Sequence, residues 1–273
     1  MPHKLSRRRL LAGGSLLPLA LTVRGAAFAA PAATPAMPPG FPQQDPGRVG
    51  EVVGAAHRDI DRVRALVEET PALANAAWDW GFGDWETPLG AAAHVGRREI
   101  AEYLLSRGAR LDVFAAAMLG RLAVVKAALE ADAALLHTRG PHGIPLVEHA
   151  RAGGEPAAEV LRYLESLPSA AAAAPAPPSA EQRRAYLGRY AFGAGEGDVL
   201  EVAERNETLT IARGARSSRL VPAGTHAFHP AGAPAVRVVF AVAGATATAV
   251  TVHDGPLVVT ATRAAGGPAG AAR

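Results

Sequence analysis

Apolar residues recur at helical spacing in the first half of this chain and at alternate positions in the second. In "VVGAAHRDIDRVRALVEETPALANA" (52–76), Ile60, Val63, Leu66 and Val67 fall on one helical stripe, after a polar turn at Asp59. Ile100, Leu104 and Leu105 repeat that stripe in "WETPLGAAAHVGRREIAEYLLSRGARLD" (85–112). From about Ser179 the period drops to two: "VLEVAE", "TLTIAR", "AVRVVFAVAG" and "ATAVTVHDGPLVVTATR" predict short half-buried strands of a compact antiparallel sheet or barrel. Asn206-Glu207, Gly232 and Asp254-Gly255 supply turn signals between them. Ser179, three residues before Gln182, predicts a capped short helix ahead of the first strand, ending by Gly188.

Two proline-rich runs, "PAATPAMPPGFPQQDPG" (31–47) and "LPSAAAAAPAPPSA" (167–180), separate these patterns. Proline fixes φ and removes an amide donor, so neither run joins a sheet or a helix interior easily. The expected organisation is a signal segment at 1–29, a disordered leader at 30–49, a helical domain at 50–167, a linker at 168–179, a β domain at 180–264 and a disordered tail at 265–273.

Local chemistry supports the helix pair at 85–112. Thr87 can cap the first helix, Pro88 sits where a missing N–H costs nothing, and Gly96 and Gly108 open and close the second. Thr87, Pro88, Leu89, Ala91, Ala92, Gly96, Glu99, Ile100, Leu104, Leu105, Gly108 and Ala109 also fall at the places of the ankyrin-repeat pattern, with Gly90 in place of its usual histidine and Arg110 in place of its aspartate. The segment resembles an ankyrin repeat. Asp59 aligns with Gly96 at a spacing of 37, Gly120 follows Gly96 by 24 and Gly153 follows Gly120 by 33, so about four repeats, two irregular, are expected over 50–167. The third repeat, "VFAAAMLGRLAVVKAALEADAALL", lacks the Thr-Pro-Leu opening. In the fourth, Ile144-Pro145-Leu146 stands in its place. Phe114 to Gly120 and the G-P-H-G turn at Gly140 to Gly143 resemble a bacterial ankyrin subgroup. Tyr186, Gly188, Tyr190, Leu209, Leu220, Pro222, Phe228, Phe240 and Arg263 give the β domain a resemblance to the lipocalin-like domain appended to serine β-lactamase-like hydrolases. The fold class implied is α+β multidomain: an ankyrin-repeat helical solenoid followed by a small antiparallel β-sheet or barrel domain.

Charge changes the picture once the N-terminus is considered. Ser6-Arg7-Arg8-Arg9 leads an apolar run from Leu10 to Val23 that ends in Ala27-Phe28-Ala29. This matches a secretory signal of twin-arginine type, cleaved after Ala29. The apolar run is too short and too broken by Gly13, Gly14 and Pro18 to span a bilayer. Those 29 residues hold five of the 28 basic residues and none of the 25 acidic ones, so the formal net charge passes from +3 to −2 on removal. The mature chain has no electrostatic motive for nucleic acid. Cysteine is absent, which excludes disulfides, thiol catalysis and thiolate metal ligands. A periplasmic or secreted location without a membrane anchor is expected.

The candidate chemistry is sparse. H-E-x-x-H, the G-x-S-x-G elbow and the phosphate loop are absent. His226 and His229 face opposite sides of an alternating strand and lack a third ligand, and "GAGEGD" (193–198) reads as a hairpin turn. The sequence therefore predicts no enzyme, no cofactor and no metal site. All three tryptophans fall in "AWDWGFGDWE" (77–86), four residues longer than the repeat period requires. In an ankyrin array this stretch is a protruding hairpin, making Trp78, Trp80, Phe82 and Trp85 candidate partner anchors, rimmed by Asp79, Asp84 and Glu86. The competing expectation is that the rings fold back: packing is favoured for Trp78 and Trp85, contact for Trp80 and Phe82. His142 is a further candidate contact, as one of a polar pair with His149, though the reading favoured for it is a turn residue bonded to nearby loop carbonyls. The function this implies is a non-enzymatic interaction scaffold for an unidentified protein partner. The alternatives are a small apolar ligand bound in the β domain, or an accessory role beside a cell-envelope hydrolase.

Overall fold

A computed structural model describes residues 42–168, 175–195 and 197–264. The expected signal segment, most of the leader, residues 169–174 of the linker and the tail from 265 lie outside the described residues.

Eight helices form four successive pairs: α1 (Pro46–Ala56) with α2 (Ile60–Glu69), α3 (Pro88–His94) with α4 (Arg98–Ser106), α5 (Val113–Met118) with α6 (Leu122–Ala131), and α7 (Leu146–Ala152) with α8 (Ala158–Ser166). Helices α1, α3, α5 and α7 pack in a row, each against the next, while α2 contacts α4 and α6 contacts α8. Alanines make the close row feasible, because Ala91, Ala92, Ala93, Ala115, Ala116 and Ala117 are fully buried and occupy little volume between backbones. The stripe read from the sequence is the buried face: Val63, Leu66 and Val67 on α2, and Ile100 and Leu104 on α4.

Side-chain caps start four of these eight helices. Asp45, Asp59, Thr87 and Asp112 each accept a hydrogen bond from the amide three residues on, worth about 1 kcal/mol apiece. The Asp45 cap starts α1 at Pro46, which moves the helical region into what the sequence had assigned to the leader up to residue 49. Asp112 gives the third pair a cap although the Thr-Pro-Leu opening is missing. In the fourth pair Pro145 is itself the capping residue, without a side-chain bond. Gly96 and Gly120 turn between paired helices at φ +72°, where a Cβ would come within 2.2 and 2.1 Å of the carbonyl oxygens of Ala152 and Pro156. Only glycine fits there.

Between the first two pairs, a turn at Pro71–Asn75 leads into a two-stranded hairpin, β1 (Trp78–Asp79) and β2 (Trp85–Glu86), in which Trp78 pairs with Glu86 and Asp79 with Trp85. The "AWDWGFGDWE" stretch is therefore a hairpin whose tip spans 80–84.

After α9 (Ala180–Tyr186), which carries the complete Ser179–Gln182 capping box, eight strands close an antiparallel barrel. They are β3 (Gly188–Ala191), β4 (Val199–Arg205), β5 (Thr208–Arg213), β6 (Arg216–Gly224), β7 (Ala227–Pro230), β8 (Arg237–Ala243), β9 (Thr246–Asp254) and β10 (Leu257–Arg263). Each strand pairs with its neighbour in sequence, and β10 closes the ring on β3 with Arg263 opposite Tyr190. The alternation read from the sequence sets the inward set: Leu200 and Val202, Leu209 and Ile211, Val238 and Phe240, Val250 and Val252 are buried. Tyr186, Tyr190, Phe228 and Phe240 fill the interior with ring centroids 4.6 to 6.0 Å apart. The Arg263 guanidinium donates to the carbonyls of Ala247, Leu187 and Ala185 and to the Tyr190 hydroxyl, tying the barrel to α9.

Candidate metal centre

The hairpin and the helix ends beside it bring together four groups that lie far apart in sequence. His57 follows α1, His94 ends α3, Glu86 ends β2, and His142 sits in the G-P-H-G turn before α7. One potential ligand atom from each lies within 4.8 Å of every other. His57 Nε2 is 3.2 Å from His94 Nε2. His94 Nε2 is 3.0 Å from Glu86 Oε1, and the Nε2 atoms of His57 and His142 are each 3.5 Å from Glu86 Oε2. Two donors about 2.0–2.1 Å from a tetrahedral ion are separated by roughly 3.4 Å, so these spacings suit ligand atoms facing a shared centre.

Neighbouring groups orient two of the imidazoles. His57 Nδ1 donates to the Val53 carbonyl at 3.0 Å, and His142 Nδ1 donates to Asp84 Oδ2 at 2.9 Å. Each bond leaves Nε2 turned toward the cluster, the arrangement that fixes the tautomer of metal-ligating histidines. His142 has φ +58°, a left-handed conformation uncommon outside glycine, and its backbone N–H is held by Asp84 Oδ1 at 2.9 Å.

Glu86 is completely buried. Its Oε2 accepts from the indole N–H of Trp80 at 2.9 Å. Its Oε1 faces His94 without the alignment of a hydrogen bond and has no hydrogen-bond partner. A buried carboxylate oxygen left without a donor costs about 1–3 kcal/mol or more, unless something occupies the space before it. Burial pushes the Glu86 carboxyl up, but the facing imidazoles of His142 and His94 outweigh this and hold it at about 2. Burial likewise opposes charge on His142, yet Asp84 and Glu86 raise it to about 9. His57 is lowered, chiefly by burial. An imidazolium at His142 thus offsets the buried carboxylate, and a cation at the centre would take over that role. Three imidazoles and one carboxylate form an N/O donor set suited to late first-row divalent ions.

The sequence reading needs correction at several of these residues. Asp84 and Glu86 do not rim an exposed tip: Asp84 is 5% exposed and Glu86 wholly buried. His142 bonds carboxylates rather than loop carbonyls. Trp78 packs on α1, close enough that a Cβ on Gly50 would meet its ring at 3.4 Å, and Trp80 lies against His57 and His142 with centroids 6.3 and 5.8 Å away. Trp80, for which the sequence favours contact, packs inward. Trp85, for which the sequence favours packing, is 63% exposed; Phe82 is 36% exposed. His149 is buried, donates from Nδ1 to the Pro145 carbonyl, and stacks on Phe114. His226 bonds the Tyr186 hydroxyl and His229 the Pro230 carbonyl.

The convergence of these four residues was not foreseen. One signal was present: the 37-residue spacing that aligns Asp59 with Gly96 also aligns His57 with His94, placing an imidazole at the same point of two successive helix pairs. Nothing local marks Glu86 or His142 as their companions.

Two clefts flank the centre. One, of about 170 Å³, is lined by Asp84, Trp85, Phe114, Pro141 and Gly232 among others. The other, of about 260 Å³, lies where Trp80, Gly81 and Phe82 meet barrel residues Leu200, Ile211 and Ser218, with Arg213 and Arg216 at its edge. Among the described residues no helix is long and apolar enough to cross a membrane. No protein-family model matches the chain, and no curated protein matches it.

Proposed function

We propose that this chain is an exported metal-binding protein, in which an ankyrin-like helix stack and a lipocalin-like barrel frame one site for a late first-row divalent ion such as zinc, copper or nickel. The observation that carries the reading is the convergence of His57, Glu86, His94 and His142 on a fully buried carboxylate, whose Oε1 faces His94 Nε2 at 3.0 Å without an aligned hydrogen bond. Ligands drawn from two helix ends, a hairpin and a loop would bind the ion only in the folded chain, so binding free energy would add to folding stability. Metal-stripped protein titrated with Zn(II) and Co(II) tests it. One equivalent should bind with a dissociation constant in or below the micromolar range, and His94→Ala combined with Glu86→Gln should abolish it. A metal-stripped protein that takes up no ion with better than millimolar affinity would sink the proposal.

A non-enzymatic scaffold for a protein partner is the second reading. Its support is Trp85, the most exposed large apolar side chain among the described residues, with Phe82 nearby on the same hairpin. Capture from a periplasmic extract by the wild type but not by Trp85→Ala with Phe82→Ala would favour it; identical captured proteins would remove it.

A further inference from the structure

We infer that the barrel completes the metal centre, so that ion binding and seating of the barrel on the helix stack are two sides of one linked equilibrium. The inference rests on the metal-binding reading above and concerns what regulates that site.

Three of the four ligands, His57, Glu86 and His94, belong to the first two helix pairs and the hairpin between them. His142 comes from a separate turn, and that turn is held from both sides. On the stack side, Asp84 binds its backbone N–H and its imidazole Nδ1. On the barrel side, the Arg219 guanidinium of β6 donates to the His142 carbonyl at 3.4 Å. Gly143 lies directly against Gly232, in the turn between β7 and β8: a Cβ on Gly143 would sit 3.0 Å from the Gly232 nitrogen.

The same barrel turn touches Asp84. A Cβ on Gly232, whose φ is +81°, would fall 2.2 Å from Asp84 Oδ1 and 2.8 Å from Asp84 Cβ. Asp84 Oδ1 is the atom that accepts from the His142 amide. The carboxylate that aims His142 is therefore wedged between the G-P-H-G turn and the barrel, with no space for even one methyl group. A second connection runs through Trp80, which donates to Glu86 and lines the cleft against Leu200, Ile211 and Ser218 of the barrel. Beside it, Arg216 of β6 lies over the Trp78 ring at 5.7 Å. Of the four ligands, His142 is thus oriented by a carboxylate wedged against the barrel, and Glu86 by an indole that shares a cleft with barrel residues.

Lifting the barrel would free Asp84 and the turn, and with them the left-handed conformation at His142. Ion affinity would fall, and by reciprocity an ion bound at the centre would hold the barrel down by the same factor. Outer-sphere partners of metal ligands typically govern about 10- to 100-fold in affinity.

The test uses the full chain and two substitutions on the barrel, neither at a ligand. Gly232→Ala should weaken Zn(II) binding by about 10- to 100-fold while leaving the stoichiometry at one, and Arg219→Ala should weaken it several-fold. Reciprocally, saturating wild-type protein with Zn(II) should slow amide exchange at Ala231 and Ala233, the barrel-turn amides that donate to the Arg219 and Pro230 carbonyls. The exchange measurement needs no variant, so it decides the matter even where Gly232→Ala does not fold. Wild-type protein that binds Zn(II) but shows unchanged exchange at these amides overturns the linkage and leaves the metal site standing. Wild-type protein that binds no Zn(II) overturns both.

Discussion

The helix stack and the barrel handle buried polarity in opposite ways. In the barrel, Arg263 reaches three carbonyls and a hydroxyl, and Tyr190 donates to the Tyr186 carbonyl. In the stack, Arg48, Glu86, Tyr103 and His149 each hold a buried nitrogen or oxygen with no partner, and among the described residues every such atom lies in the stack. Native interiors leave few polar groups unpaired, and those that remain call for an explanation. The two interiors also differ in material. Aromatic rings fill the closed ring of strands, whereas the helix row is lined by alanine, which brings backbones close but leaves helix ends and loops to meet in a polar seam. The contrast teaches that the barrel satisfies its buried polar groups within itself, while unpaired polar groups gather among the helices of the stack.

The largest effect should come from emptying the barrel core. Tyr190→Ala removes a fully buried ring and its hydroxyl bond, and should cost about 4 kcal/mol. All three tryptophans lie in the hairpin of the stack, so their fluorescence in urea reports that region while far-ultraviolet circular dichroism reports the whole. Separate transitions would sharpen the contrast between regions; a tryptophan transition displaced as far as the total signal would break it, showing one cooperative unit.

Acid should weaken the stack next. His149 is buried, and its pKa is lowered to about 4, mainly by that burial. The unfolded chain takes up this proton near pH 6.5, before the folded one does, so stability falls as pH drops from about 6.5 to 4. By about pH 4.5 the loss reaches roughly 2–3 kcal/mol. The measurement is a double difference: wild type against His149→Gln, each unfolded near neutrality and near pH 4.5. An equal loss in both proteins would remove His149 as the cause.

At the seam, His94→Ala alone should lower Zn(II) affinity by about 100-fold, equivalent to roughly 2.7 kcal/mol, because it deletes one donor and uncovers Glu86 Oε1. Calorimetric titration checks it, and an unchanged isotherm would mean that the imidazoles only neutralise Glu86. The smallest effect belongs to the exposed hairpin: Trp85→Ala should change folding stability by no more than about 0.5 kcal/mol, measured by thermal unfolding. A larger loss would show that the ring is packed in solution.

Much of the local architecture was legible. Asp59 and Thr87 announce helix starts, Gly96 and Gly108 their turns, and the strand alternation selects Leu209, Ile211, Val238 and Phe240 as inward residues. Each of these signals acts over a few residues, through a cap, a left-handed φ or a pleat. The hairpin was harder. Its tryptophans are equally apolar on paper, yet Trp78 found Gly50 and Trp80 found Glu86, while Trp85 pairs with Asp79 on a strand that leaves its ring outside. That choice depends on which surfaces the neighbouring helix and the barrel offer.

What the amino-acid order determined unaided is the helical periodicity of the first half, the strand alternation of the second and several of their caps and turns, because those follow from interactions among residues a few positions apart. What only the tertiary structure decided is that His57, Glu86, His94 and His142 meet. Each is an ordinary polar residue near the end of its own element, and only the stacking of helix ends, with the barrel pressed on the G-P-H-G turn, directs their nitrogens and oxygens toward one point.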